Sequence, residues 1–498
     1  MPHIAVVVSG LLGRMHSGFE LISRLEGEGH RVTCLCQPYT TEIVAKQGFD
    51  YLEIPEINFK YADVAADFDA DADNFDKTNA EADDDNGANV DVDADGDANM
   101  GTDTRASAVS TGGAGSVVSV NHSSWPEKFK AHLKNGKGRY ERGKKQLKLD
   151  AYEKIWSELR PDHVLVDVEL HDLIFTAYAA QIPITLFHTW FSDAPDLRLP
   201  PIRTAIIPGR GFEGSTMGIT WARFIDWAKI QARLYINKLT FQDYRRATIK
   251  GYAQEIGFPM RDLKSSTLPP LYRFTKLPIL LLAMRELDFP HKPDKNLTYA
   301  GPMVYENRHD LDAASADAKR LNTIYETKKT SGKKLIYCSV GSLAKGDVSF
   351  LKKVIEVVGK EKGWLLILSL GRNLSFDAFP DSPENVHLFL WVPQLKVLAH
   401  ADCCINHAGI NSINECLHYA VPMVIYSLKY TDENGNAARM AYHGLAVVGD
   451  KDQDGMPEIH KNIELVVTNT KYADKISEFN GLYKEYSQRK LSPLIFKG

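Results

Sequence analysis

The sequence predicts an α/β chain built as two Rossmann-like domains facing an interdomain cleft. Three observations predict it. Short apolar, β-branched runs alternate with helix-length amphipathic stretches near the N-terminus, the signature of βαβ units and a parallel sheet. The same alternation starts afresh near residue 334. A polar stretch separates the two series, and 498 residues exceed what one compact core ordinarily holds.

Taken in order, Ile4–Val8, Arg31–Cys36 and Asp50–Ile54 read as strands, with helical patterns at Ser17–Gly27 and Thr41–Gly48 between them. Residues 62–124 then break the pattern. They are rich in Asp, Ala, Asn, Gly and Ser, poor in large apolar residues, and expected to be a disordered acidic insertion. A helix near Gly143–Leu159 resumes the fold, followed by strand His163–Asp167, helix His171–Gln181 and strand Ile182–His188. Trp221–Ile256 reads as one or two amphipathic helices and Leu277–Ala283 as a buried strand. In the second series, strands at Lys334–Val340, Trp364–Ser369, Val386–Leu390, Asp402–Asn406 and Pro422–Tyr426 alternate with helices at Phe350–Glu361 and Ile410–His418. The expected division is an N-terminal domain over 1–305, a linker over 306–332, a C-terminal domain over 333–475 and a terminal segment over 476–498 whose helix begins near Lys475.

Composition narrows the function. The net charge of −5 hides a segregation: 15 acidic residues lie between Asp63 and Asp103, and nine basic ones between Glu127 and Lys148. The remainder is close to neutral, which argues against a nucleic-acid partner. The chain start lacks a basic leader, and no apolar run approaches the ~18 residues that span a bilayer. A cytoplasmic protein is expected, with peripheral membrane contact the variant that the basic segment would support. Six cysteines without metal spacing read as reduced core thiols. Asp91–Asp97 mimics the start of a calcium loop, but the twelfth position is Thr102 instead of Glu, so no metal site is expected. Trp221–Trp227 is expected to face the core, with a greasy acceptor pocket or a membrane surface as the alternatives.

The most informative stretch runs from Trp391 to Ala437. Trp391 offers a face that can stack on a base, and Gln394 an amide that can pair with a base edge. His407 and the N–H groups around Gly409 sit at a helix start, where the dipole favours a diphosphate. Glu415 can accept two sugar hydroxyls. In this order and spacing the stretch resembles the nucleotide-sugar signature of the UDP-glycosyltransferases, a family that includes bacterial macrolide and plant natural-product enzymes. The resemblance implies the GT-B fold, an acceptor-binding first domain, a donor-binding second domain, and a terminal helix that crosses back onto the first. It implies an inverting hexosyltransferase that moves a sugar, glucose foremost, from a UDP-sugar to a hydroxyl of a hydrophobic small molecule or lipid, with no cofactor and no metal; a membrane-surface sterol or glycolipid glycosyltransferase is the rival that the basic segment and the tryptophans would support. Donor contacts are implied for Ser342, Trp391, Val392, Gln394, His407, Gly409, Asn411, Ser412, Glu415, Asp432 and Glu433. The last departs from the family's Gln, and a carboxylate accepts hydroxyl bonds but cannot donate.

The catalytic half departs further. The family places a base, a His, just after the first strand; here the match is Gly13-Arg14, and Arg cannot act as a base at neutral pH. Three readings stay open. His16, two residues on, points into the cleft as the base, with Asp167 at the end of its strand orienting it. Arg14 binds an anionic group and the acceptor supplies its own acidity. Or the protein binds a donor, as a partner protein, without efficient transfer. His188, ending the next strand, is a further cleft candidate.

Overall fold

The computed structural model describes residues 2–56 apart from 9 and 11, 136–192, 196–239, 244–265, 272–292, 294–308, 311–339 apart from 313, 348–371, 373–429 and 432–496. The acidic insertion, the calcium-like run and residues 127–135 of the basic segment lie outside these residues. By contacts the chain divides into one unit, residues 1–59 with 140–498, and a second, 60–139, of which only the first helical residues, 136–139, are described.

Strands are β1 (His3–Val7), β2 (Arg31–Cys36), β3 (Tyr51–Glu53), β4 (His163–Asp167), β5 (Ile184–His188), β6 (Leu263–Ser265), β7 (Tyr272–Phe274), β8 (Ile279–Leu281), β9 (Leu297–Tyr299), β10 (Lys334–Ser339), β11 (Trp364–Ser369), β12 (Val386–Phe389), β13 (Cys403–Asn406), β14 (Met423–Tyr426) and β15 (Ala446–Gly449). In the first half the helices are α1 (Leu12–Gly27), α2 (Thr41–Lys46), α3 (Gly136–Gln146), α4 (Leu149–Leu159), α5 (His171–Ala179), α6 (Thr216–Leu239) and α7 (Tyr244–Glu255). In the second they are α8 (Ala316–Ser331), α9 (Val348–Lys360), α10 (Gln394–Leu398), α11 (Ile410–His418), α12 (Glu433–Tyr442), α13 (Met456–Thr468), α14 (Thr470–Ser487) and α15 (Ser492–Ile495).

Two parallel sheets carry the fold. The first has the order β3-β2-β1-β4-β5-β8-β9, the second β12-β11-β10-β13-β14-β15. Their central strands are buried along their whole length, as in β4 and β13, so they read as unbroken apolar runs and not as alternations. The strand order reverses between β1 and β4 and again between β10 and β13. In open α/β sheets a crevice opens at the carboxyl ends of the strands at such a reversal. The fold therefore aims two crevices, one per half, before any side chain is considered.

Several sequence expectations need correction. α1 begins at Leu12, not Ser17, which brings Gly13, Arg14 and His16 into its first turns. The single helix expected over Gly143–Leu159 is two, α3 and α4, broken where Lys148 adopts φ +54. The linker segment 306–332 is half helix: Ser315 caps α8, whose Leu321 and Ile324 are buried in the core. The aromatic face of α6 points outward. Met217 is 68% exposed, Trp221 60%, Phe224 52% and Trp227 52%. The inward face carries the polar contacts instead: Arg223 donates to the carbonyl oxygens of Leu199 at 2.7 Å and Asp196 at 3.3 Å. Burial raises the Asp226 carboxyl, which shares its surroundings with Arg203.

The two halves meet through buried polar contacts. Arg439 pairs with Asp288 at 2.7 Å, both almost without exposure, and the guanidinium lies over the Phe289 ring. Asn480 of α14 donates to the Leu417 and His418 carbonyl oxygens at the end of α11. Beyond it, the backbone N–H groups of Leu491 and Ser492 donate to the Glu28 carboxylate after α1. All six cysteines are buried thiols. Among the described residues no helix is long and apolar enough to cross a membrane.

Candidate functional site

In the second half, β13 ends at Asn406 and the chain turns through His407, Ala408 and Gly409 into α11. Ala408 takes a left-handed φ of +68. The side chains of Asn406 and Asn436 hold it there, one accepting from the Ala408 N–H at 2.9 Å, the other donating to its carbonyl at 3.0 Å. A Cβ on Gly409 would lie 2.8 Å from His407 Nε2, so only glycine lets the ring fold back over the helix start. Burial lowers the His407 imidazole to about 4, against opposing pulls from Asp432 and the Ser339 backbone. It is thus neutral at neutral pH. The N–H groups of the first α11 turn lack helical acceptors, so they converge with His407 on an anion-binding position.

One turn further, Glu415 is buried at 3% exposure. Gln394, at the start of α10, donates its amide to Glu415 Oε2 and, at 3.4 Å, to Ser412 Oγ. The Gln394 oxygen accepts from the Tyr337 hydroxyl at 3.0 Å. Trp391 follows β12 with 49% exposure, while Val392 is buried, leaving its backbone for any ligand contact. Asp432 begins α12 and accepts from Asn436 at 2.7 Å; Glu433 is the first residue of that helix. Ser342 lies outside the described residues. The structure thus gathers Gln394, Ser412 and Glu415 into one network, with His407 and Asp432 beside each other across the helix start.

In the first half, Arg14 of α1 faces the end of β4. Its Nη1 donates to Asp167 at 3.4 Å and to Glu169, and its Nη2 to Glu169 at 3.1 Å. The guanidinium sits 5.2 Å from the Trp190 ring centre, and His188 is buried 5.7 Å from the same ring. Burial raises the Glu169 carboxyl, with Arg14 pulling it back. His16 and Asp167 are not brought together. Asp167 is committed to Arg14, whereas burial and the positive charge of Arg308 lower His16 to about 3. Asn411 is likewise committed: its Oδ1 accepts from Ser17 of α1 at 2.9 Å, and Gly13 passes so close that a Cβ would be 2.8 Å from Asn411 Nδ2. The starts of α1 and α11 therefore abut across the cleft.

Two participants escaped the sequence reading. Glu169 stands two residues past Asp167 at the same strand end, a position that could have flagged it. Arg308, in the linker, reaches Glu415 Oε1 at 2.7 Å and is anchored through Nε to the Tyr305 carbonyl at 2.9 Å. Only the tertiary fold puts it there. Among the described residues no cluster of His, Cys, Asp and Glu could hold a metal ion.

A family model described as UDP-glucoronosyl and UDP-glucosyl transferase matches residues 277–496. An uncharacterized UDP-glucosyltransferase of Bacillus subtilis, YdhE, is 27% identical over 163 residues, 33% of this chain and 41% of that protein. The oleandomycin glycosyltransferase of Streptomyces antibioticus is 31% identical over 119 residues, 24% of this chain and 27% of that protein. The chain thus matches well under half the length of either relative. Among solved structures, the glycotransferase of kitacinnamycin superposes with a TM-score of 0.63 at 20% identity, covering 98% of this chain and 96% of that one. The spinosyn forosaminyltransferase SpnP gives 0.59 at 12%, covering 100% and 98%. At such identities the likeness shows the fold, which is GT-B. Through residues 277–496, the chain is similar to the UDP-glycosyltransferase family.

Proposed function

We propose that the protein transfers a sugar, glucose foremost, from a UDP-sugar to a hydroxyl of a hydrophobic small molecule or lipid, with inversion. The observation that carries the reading is the buried Glu415 carboxylate, coupled to Gln394 one turn beyond the His407–Gly409 helix start. In this reading the exposed Trp391 stacks on uracil, Val392 meets it through backbone atoms, and Gln394 and Glu415 take the nucleoside. His407, Gly409, Ser412, Asn411 and Ser342 surround the diphosphate, and Asp432 and Glu433 receive the sugar hydroxyls. The acceptor oxygen attacks the anomeric carbon as the bond to the diphosphate breaks, and the proton passes to His16. Catalysis is then positioning plus stabilisation of the leaving group's charge. Calorimetric titration with UDP, UDP-glucose, UDP-glucuronate and dTDP-glucose, beside Glu415→Ala, tests the donor site. Binding of none of them ends the reading.

His16 lacks a carboxylate partner, so it is a weak base. General-base efficiency follows the match between base and acceptor acidity. Acceptors that ionise easily, phenols foremost, are therefore expected to react at least about 100-fold faster than alkyl alcohols of similar shape. Equal rates across such a panel would count against His16 as an unassisted base. The outward aromatics of α6 favour an apolar acceptor or a peripheral lipid contact over a polar one.

The Arg14 clamp favours a second reading, a donor-binding partner protein that has lost its base. UDP-sugar binding without turnover over a broad acceptor panel would select it.

A further inference from the structure

Glu415 is placed by α11, Gln394 by α10, and Arg308 by the segment joining the two halves. Arg308 approaches Glu415 Oε1 at 2.7 Å, and Gln394 donates to Oε2. An ionised carboxylate has about four lone-pair positions, two on each oxygen. One resident donor per oxygen leaves one position per oxygen, spaced as two vicinal hydroxyls require. A carboxylate buried to this depth needs partners for its oxygens, and without Arg308 one of them would lose its resident donor. The guanidinium is itself pinned by the Tyr305 carbonyl and keeps little exposure, so it is built into the site and does not drift on its surface.

We propose that Arg308 is a positioning residue for the nucleotide: it holds the Glu415 carboxylate oriented so that each oxygen offers its remaining lone pair to one ribose hydroxyl. The inference rests on the donor-site reading above and extends it to the linker. A residue from the interdomain segment thereby completes a site that otherwise belongs to the second half alone. It also places one cation between the ribose site and His16 of the opposite half, whose imidazole feels the same guanidinium.

The test compares UDP with 2′-deoxy-UDP by calorimetry in the full chain, in Arg308→Ala and in Arg308→Lys, with melting temperature and circular dichroism as controls for folding. The unaltered protein is expected to prefer UDP by about tenfold, the scale of one charge-assisted hydrogen bond. Arg308→Ala is expected to lose about tenfold in UDP affinity and most of that preference. Arg308→Lys, which keeps the charge but not the planar fork, should recover part of both. If Arg308→Ala binds UDP as well as the parent or better, with its preference intact, the inference fails and Arg308 merely fills the acid's place. Should Arg308→Ala not fold, Arg308→Lys carries the test, and an unchanged preference there is equally fatal. Absence of UDP binding by the unaltered protein would remove the donor-site reading itself, and this inference with it.

Discussion

The two crevices share one construction and differ in a handful of side chains. Each opens where a parallel sheet reverses its strand order, and each receives the start of a helix, α1 in the first half and α11 in the second. In the second crevice Gln394, Glu415 and Arg308 form one network beside the His407–Gly409 turn, and the first α11 amides, without helical acceptors, are what faces a ligand. In the first they converge on one another, since Arg14 is clamped by Asp167 and Glu169. The topology supplies a crevice, and the side chains decide whether it binds or merely holds together.

Substitutions can break or sharpen that contrast. Arg14→Leu would strand two buried carboxylates, and its expected cost is about 3–5 kcal/mol of stability, read by chemical denaturation. Affinity for UDP should stay within about twofold in the folded fraction. A large loss of UDP affinity would show that the first crevice does more than hold the fold. Glu415→Ala should lower UDP affinity about 100-fold in the folded fraction, because two charge-assisted hydroxyl bonds disappear, and it should also lower stability, because Arg308 loses its carboxylate.

The two crevices should also share a pH response. Burial holds His407 down to about 4 and His16, beside Arg308, to about 3. As pH falls from about 6.5 toward 4, the unfolded chain takes up protons that these folded imidazoles refuse, so stability falls. The stability that the depressed histidines contribute is therefore present above pH 6.5 and lost on acidification, on the order of 1–3 kcal/mol for the half-buried His407. His407→Asn should flatten the profile between pH 6.5 and 4; an unchanged slope would mean that the ring is not buried and neutral. The smallest effect is expected at the seam between the crevices. Ser17→Ala removes one hydrogen bond to Asn411 and should cost about 1 kcal/mol, and a shift beyond about 3 kcal/mol would mark that contact as a structural keystone of the cleft.

The second crevice was largely legible in the sequence because its residues follow one another in the chain. Strand, turn, helix and acid lie between Asp402 and Glu415, so local order alone carries the geometry. The first crevice was not, because Arg14 meets partners 153 and 155 residues away. No local pattern says that Asp167 will choose Arg14 over His16. Arg308 was missed for the same reason: a polar linker residue gains meaning only when the halves close around it. The α6 stripe failed differently. Periodicity finds an apolar face but not its direction, and here Trp221, Phe224 and Trp227 are exposed while Arg223 bonds to the Leu199 carbonyl.

The chain crosses between the halves twice, once through the segment after β9 and once through α14 on its way to Glu28. The two crossings lie side by side. Gly301 takes a φ of +94, and a Cβ there would be 2.7 Å from the Tyr486 side chain, whose hydroxyl accepts from the Arg285 N–H. Mechanically this makes a door hung on one edge. Two adjacent covalent straps permit rotation about a single line through them and resist sliding or twisting of one half on the other. Displacement during opening then grows with distance from the Gly301–Tyr486 line, so residues beside that axis keep their spacing through the swing while the far rim of the cleft moves most.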